Sequence, residues 1–317
     1  MCHFEKAPFY RSVSTKTAVP KTTAQNAVLL KSLLLLAVML LQSCAMSPPQ
    51  RLQATAQSLG FEDAVVSAAG FDHRVFRNGN YESVVRAGRR GAVLHVYLEG
   101  DGTPWRMQHF ITSDPTPRFP MMLRLMALDQ RPAIYLGRPC YNGFAEAEGC
   151  SPAMWTSARY SPTVVDSMAM ALSREIKRIG ATRVTLFGHS GGGALALLMA
   201  ARLTEIRTVV TLAGNLNIDA WTTFHGYTPL YTSLNPALQP PLAGRVRQFH
   251  LLGMRDRNIP PSLVKPWVLQ QRNAFGYEFR SYDHACCWED LWPLLLRQVD
   301  RRQPQLPGRV FKRPSAS

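Results

Sequence analysis

The chain has 317 residues, 46% hydrophobic and 18% charged, with a formal net charge of +15. The apolar fraction is enough for a large core, and the modest charge content excludes a largely disordered polypeptide. The positive excess sits mostly on scattered arginines with short clusters such as Arg89-Arg90 and Arg301-Arg302. No Lys/Arg block interleaves with aromatics, so nucleic acid is not an expected partner, and a cationic outer face is the simpler reading.

Lys31 is followed by the apolar run Ser32 to Leu41 and then by Gln42, Ser43 and Cys44. A membrane-spanning helix needs ~20 apolar residues, and this run is about half that length. Basic flank, short apolar run and small residue before the break predict a signal peptide over 1–43. The basic leader upstream of Lys31 is long for such a peptide, which points to a start codon downstream of Met1, near Val28. The segment Leu41-Gln42-Ser43-Cys44 resembles the lipobox of bacterial lipoproteins. That resemblance implies diacylglycerol on the Cys44 thiol and cleavage before Cys44. It also implies, with Ala45 following, sorting to the outer membrane facing the periplasm, so that the membrane is a partner through a lipid anchor. An ordinary cleaved signal with a coincidental cysteine is the alternative. With Cys2 in the leader and Cys44 lipidated, Cys140, Cys150, Cys286 and Cys287 remain, and three pairings are open. Cys140 with Cys150 is the first choice, since both lie in one Gly/Pro-rich loop. No Cys-x-x-Cys occurs, so no metal site is expected.

A short Pro-containing tether over 44–54 runs into a first helix at Arg51–Leu59, ended by Gly60. Short β-rich runs follow at Arg74–Arg77 and Glu82–Arg86, split by the turn signal Asn78-Gly79-Asn80, and then at Ala92–Leu98. Beyond a strand at Ala133–Leu136 and a long loop, Val164, Val165, Met168, Ala171, Leu172 and Ile176 recur at helical spacing and predict a helix over Pro162–Ile179, stopped by Gly180. Strand Arg183–Phe187, helix Ala194–Leu203 and strand Thr208–Leu212 come next. Strand Val246–Leu252, helix Pro261–Arg272, strand Tyr277–Ser281 and helix Trp288–Val299 continue the pattern. Strands alternating with helices, and strands apolar on both faces, predict an α/β fold with a mostly parallel sheet covered on both sides. The segment 215–244, rich in Pro, Asn, Trp and Tyr, breaks the alternation and reads as a cap. Residues 301–317 read as a basic, flexible tail.

Strand 183–187 runs directly into Gly188-His189-Ser190-Gly191-Gly192-Gly193, and a helix starts at once. Gly-x-Ser-x-Gly between strand and helix is a nucleophile elbow, in which small residues let the backbone turn sharply enough to expose the serine. A serine hydroxyl needs a base, and the base needs an orienting carboxylate. Asp256 follows the strand ending at Leu252, and His284 follows the last strand. The chain order is therefore Ser190, Asp256, His284, each directly after a strand. Asp219 is the rival acid. His189, His225 and His95 are weaker candidates for the base.

On these residues the chain resembles the α/β-hydrolase superfamily over 55–300. Gly253–Pro260 is similar to the family's acid loop, and His284 followed by Trp288 is similar to its histidine loop. The resemblance implies a serine hydrolase acting on an ester-type substrate (carboxylester, thioester or amide) through an acyl-enzyme, without a cofactor. It also implies an oxyanion hole from backbone N–H groups, assigned to Gly191 and Asp101 with Gly102 as alternate. Trp105, Trp221, His225 and Tyr231 are candidates for the substrate pocket. A non-catalytic envelope lipoprotein using the same fold as a binding or scaffold module is the competing reading.

Overall fold

The computed structural model describes residues 46–107 and 109–314. Cys44 and the segment read as a signal peptide lie outside the described residues. Strands β1 (Glu62–Ala68), β2 (Phe71–Arg77), β3 (Ala92–Leu98), β6 (Ala133–Leu136), β7 (Ala181–His189), β8 (Ile206–Leu212), β9 (Arg247–Gly253), β10 (Ala274–Phe279) and β11 (Arg309–Lys312) form one sheet. Two-residue strands β4 (Trp105–Arg106) and β5 (Phe110–Ile111) form a separate hairpin. The helices are α1 (Pro48–Ser58), α2 (Gly79–Arg86), α3 (Met121–Ala127), α4 (Pro162–Ile179), α5 (Gly191–Ala200), α6 (Ile218–His225), α7 (Pro261–Val268) and α8 (Trp288–Gln298).

The sheet order is β1-β2-β6-β3-β7-β8-β9-β10-β11. The six strands from β6 to β10 in this order run parallel, while β1, β2 and β11 pair antiparallel at the two margins. Strand periodicity explains the two-layered core. Leu94, Val96 and Leu98 of β3 and Val184 and Leu186 of β7 face a core shared with α4, α5 and α7. Tyr97 and Phe187 face the opposite core, shared with α1, α3 and α8. Helix α5 is buried along its whole length, so its all-round apolar sequence needs no polar face. The C-terminal ends of the parallel strands, where the loops carrying Ser190, Asp256 and His284 emerge, open at one edge.

Helix α4 is capped by Ser161, whose side chain accepts from the Val164 N–H, and ends at Gly180 in the left-handed conformation, as its sequence predicts. The segment Glu82–Arg86, expected as a strand, is instead part of α2. The Asn78 side chain accepts the Tyr81 N–H at 2.9 Å, which converts the expected turn into a helix cap. Capping outweighs the β-propensity of Val84 and Val85, and Tyr81 is fully buried beneath. Helix α1 begins at Pro48, inside the segment expected as a tether, because Ser47 and Gln50 form a reciprocal capping box. The basic tail also differs from expectation. Arg309–Lys312 pairs with β10, and the Phe311 ring lies over Gly276, where an added Cβ would come within 2.0 Å of it. Cys140 is joined to Cys150, and Cys286 to its neighbour Cys287.

Under the antiparallel margin, Glu175 of α4 accepts from Arg77 Nε at 2.9 Å, Arg77 Nη2 at 2.8 Å and the Tyr81 hydroxyl at 2.8 Å. Both members of this ion pair are buried. Truncating one member strands the other charge away from water. Glu175→Ala is expected to lower the unfolding free energy by roughly 3–5 kcal/mol. The double change Glu175→Leu with Arg77→Met should cost much less, as measured by denaturant unfolding.

Candidate active site

The turn from β7 into α5 holds Ser190 at φ 52° and ψ −121°, in the positive-φ region that side chains rarely occupy. The surroundings over-determine it. The Ser190 N–H donates to the Leu212 carbonyl at 3.0 Å, and its carbonyl accepts from Gly193 N–H at 2.9 Å and Asn215 N–H at 3.0 Å. A Cβ at Gly188 would fall 2.2 Å from the Gly192 carbonyl oxygen, and one at Gly192 would fall 2.3 Å from that of Leu98. Only glycine at both positions permits this close approach.

The turn after β9 presents Asp256. Its Oδ1 accepts the N–H groups of Asn258 and Ile259, each at 2.8 Å, and its Oδ2 lies 2.8 Å from His284 Nδ1. Fixed by two backbone donors, the carboxylate has one oxygen left for the imidazole and sets its tautomer. Nδ1 carries the proton and Nε2 is the free base. In this state Nε2 is approached by the Asn258 side-chain amide, at 3.1 Å. Among the described residues the Ser190 hydroxyl makes no hydrogen bond. The serine and the imidazole therefore face one cleft without being joined, a common resting arrangement that closes on substrate binding. The His284 carbonyl accepts from His189 Nε2 at 2.8 Å and from Trp288 Nε1 at 3.3 Å, so the histidine loop is clamped from below.

His189 is a clamp and not a base. Burial, followed by the neighbouring His284, pushes its pKa down to about 3, and its ring centroid sits 4.8 Å from that of His284. The other competitors are also placed elsewhere. Asp219 is exposed in the first turn of α6, and His95 is buried against Asp129 at 2.6 Å. Asp283 accepts the N–H groups of Ala285 and Cys286, shaping the loop.

Asp101 and Gly191, the two residues expected to form an oxyanion hole, pack closely against each other. Among the described residues neither backbone N–H has a protein acceptor. A Cβ at Gly191 would fall 1.9 Å from Asp101 Oδ1, which shows how closely the two loops pack. The Asp101 carboxylate is fully engaged. Arg159 Nη1 donates to Oδ2 at 2.9 Å and the Tyr160 hydroxyl at 2.5 Å, while Arg138 Nη1 lies 2.8 Å from Oδ1. The Arg138 contact is a charge contact at an angle outside the hydrogen-bond range. Burial alone would raise the carboxyl's pKa, but Arg138 and Arg159 outweigh it and hold it at about 2. Behind it, burial lifts Glu99 to about 7, against the N–H groups of Met122 and Gly100 that bond its carboxylate.

Asp101, Trp105, Ser190, Trp221, Asn258 and His284 line a cleft of about 1010 Å³. Two pocket expectations need correction. Tyr231 is 84% exposed and does not line the cleft; Tyr227 does, because α6 ends at Gly226 and turns the following residues inward. His225 stands one layer back, stacked on Tyr227 with ring centroids 5.0 Å apart and bonded to the Asn258 carbonyl at 2.7 Å. The segment 215–244 borders the cleft through Tyr227 to Leu230. Sequence reasoning missed Asn258, two positions after the acid, and Arg138, Arg159 and Tyr160. The only local signal for the arginines was their position in loops after or before predicted elements.

Parallel strands, an elbow serine and an acid and histidine on the following loops define the architecture. This chain has the α/β-hydrolase fold. The family model for Lipase (class 3) matches residues 135–216, which contain the hydrolase elbow but are well short of half the chain. Among solved structures, an esterase from Pyrococcus furiosus is similar over 78% of this chain and 91% of its own chain, at 9% identity and a TM-score of 0.52. The acylaminoacyl peptidase of Pyrococcus horikoshii is similar over 77% of this chain and 42% of its own, at 11% identity and a TM-score of 0.51. No curated protein matches the sequence.

The Glu99 carboxyl has a folded-state pKa above its unfolded value, so the folded state holds the extra proton. The contribution of Glu99 to stability is then fully present below about 4.5 and is lost as pH rises through about 7, a change of a few kcal/mol. Urea titrations of wild type and Glu99→Gln across pH 4 to 8 should show this slope in the wild type and its loss in the variant.

Proposed function

We propose that the protein is a serine carboxylester hydrolase working through an acyl-enzyme, with Ser190 as nucleophile, His284 as base and Asp256 as its orienting acid. The observation that carries this reading is Asp256 Oδ2 at 2.8 Å from His284 Nδ1, with His284 and the strained Ser190 lining one cleft. The lipase-family match across the elbow and the fold shared with an esterase support it.

A bound ester carbonyl would displace the Asn258 amide from Nε2 and bring the serine and imidazole together. Ser190 Oγ attacks the carbonyl carbon as its proton passes to His284 Nε2. Asp256 stabilises the resulting imidazolium without taking the proton. The N–H groups of Gly191 and Asp101 receive the developing oxyanion. The imidazolium then protonates the leaving alcohol, and water hydrolyses the acyl-Ser190 by the same route. Trp105, Trp221 and Tyr227 supply apolar wall for the acyl chain. A fluorophosphonate probe should label the wild type and leave Ser190→Ala unlabelled. Asp256→Asn should lower kcat on p-nitrophenyl esters by about 10⁴-fold. Unlabelled wild type that is correctly folded would favour a binding module on this fold.

Anchoring in the bacterial envelope through a lipidated Cys44 belongs to the same proposal and rests on the leader, the short apolar run and the Leu41-Gln42-Ser43-Cys44 motif. Cells fed an alkyne-bearing palmitate should incorporate it into the wild type and not into Cys44→Ser. Equal incorporation in both would reject the anchor.

A further inference from the structure

The charge in the cleft does not cancel. Asp101 is matched by two guanidinium groups, Arg138 and Arg159, so this buried cluster carries one positive charge in excess. Of the two, only Arg159 lines the cleft, although it is only 5% exposed. Its Nε donates to the Thr156 carbonyl at 2.7 Å and its Nη1 to Asp101. Its Nη2 has no hydrogen-bond partner among the described residues. A buried cation with two N–H bonds unspent on the side facing a cavity is costly unless water or a ligand takes them. Arg118 lines the same cleft and is exposed. Of the carboxylates on the cleft wall, Asp101 already faces Arg138 and Arg159, and Glu99 is bonded by the N–H groups of Gly100 and Met122. Among the described residues neither carboxylate bonds Arg118 or Arg159 Nη2.

We infer that Arg159 Nη2 and Arg118 form a subsite for an oxyanion group, so that the substrate is an ester carrying a carboxylate or a phosphate near its scissile bond. This rests on the hydrolase reading above and names its substrate class. A guanidinium edge suits such groups because charge-assisted N–H···O bonds are stronger than neutral ones and directional. The excess of Lys and Arg over Asp and Glu adds long-range attraction for an anionic substrate. The anion can sit on the acyl side or on the alcohol side of the ester, and the two sources share the same recognition chemistry.

Two matched pairs of soluble substrates test the inference and separate the sources. The 4-nitrophenyl monoester of glutaric acid against 4-nitrophenyl pentanoate probes the acyl side. Octanoylglycerol 3-phosphate against 1-octanoylglycerol, both below their aggregation limits, probes the alcohol side. The expected result is a preference for the anionic member of at least one pair of about tenfold in kcat/KM. It should shrink with added salt. Arg118→Gln and Arg159→Gln should each reduce that ratio, with each variant's rate on the neutral member as its own denominator. Arg118 is exposed, so its variant keeps the test valid should Arg159→Gln fail to fold. Binding of the same four compounds to Ser190→Ala, by calorimetry, reads recognition without chemistry. Failure of the reaction therefore remains distinct from failure of the subsite. Selectivity under threefold in both pairs by rate and by binding, or selectivity that Arg118→Gln leaves intact, overturns the inference.

Discussion

The sharp turn at Ser190 is the constraint on which the site depends. A non-glycine residue at φ 52° costs of order 1–3 kcal/mol and persists only when its neighbours allow no alternative. Here Leu212, the last residue of the adjacent strand β8, and Asn215, on the loop after it, hold both ends of the serine's backbone. The parallel pairing of β7 with β8 is thus what holds Ser190 at the C-terminal rim of the sheet. The same register sets β3 on the other side of β7, so that the loop after Leu98 abuts the start of α5. One local strain therefore fixes Ser190 relative to Gly191 and Asp101.

Three carboxyl groups around this turn behave differently because their surroundings differ. Asp256 spends one oxygen on two backbone N–H groups and the other on His284, which suits it to orient the imidazole. Asp101 packs against the start of α5 beside Ser190, where a bare buried carboxylate would be costly. Arg138, Arg159 and Tyr160 draw the charge away and hold its pKa at about 2. Glu99, two residues earlier, receives only backbone donors in a dry setting, and burial lifts it to about 7. Chemistry at the site is decided by what each carboxylate faces, and only secondarily by residue type.

Much of the fold was legible in the sequence because the signals were local. The helical period of 162–179, its Ser161 cap and its Gly180 stop all lie within the element they define. So do the strands before Ser190, Asp256 and His284. Where the reading differed, a longer-range partner won. Asn78 bonds the carbonyl of Arg131 and the N–H of Ala133 as well as capping α2, so the helix at 79–86 is fixed by a loop more than fifty residues away. Strand β11 exists because Gly276 leaves a slot for Phe311, a complementarity invisible in either segment alone. Strand β1 begins with Glu62 and Asp63 and shows no clean alternation. It pairs at the margin of the sheet, where its charges reach water, Asp63 contacting Arg74 and Glu62 contacting Arg77.

By itself the sequence determined the alternation of strands and helices from β6 to β8 and from β9 to α8, and the order in which a serine, an aspartate and a histidine follow their strands. Those features depend on contacts within a few residues, where side-chain period, caps and glycines act. The tertiary structure alone decided that Asn258 bonds the free nitrogen of His284. It also decided that His189 clamps the histidine loop and that Arg138 and Arg159 converge on Asp101. Those partners are brought together by the strand order β6-β3-β7-β8-β9 and by the loops it stacks at one edge. Which charges meet after burial is a property of that packing, because the cost of leaving each one unpaired is felt only once water is gone.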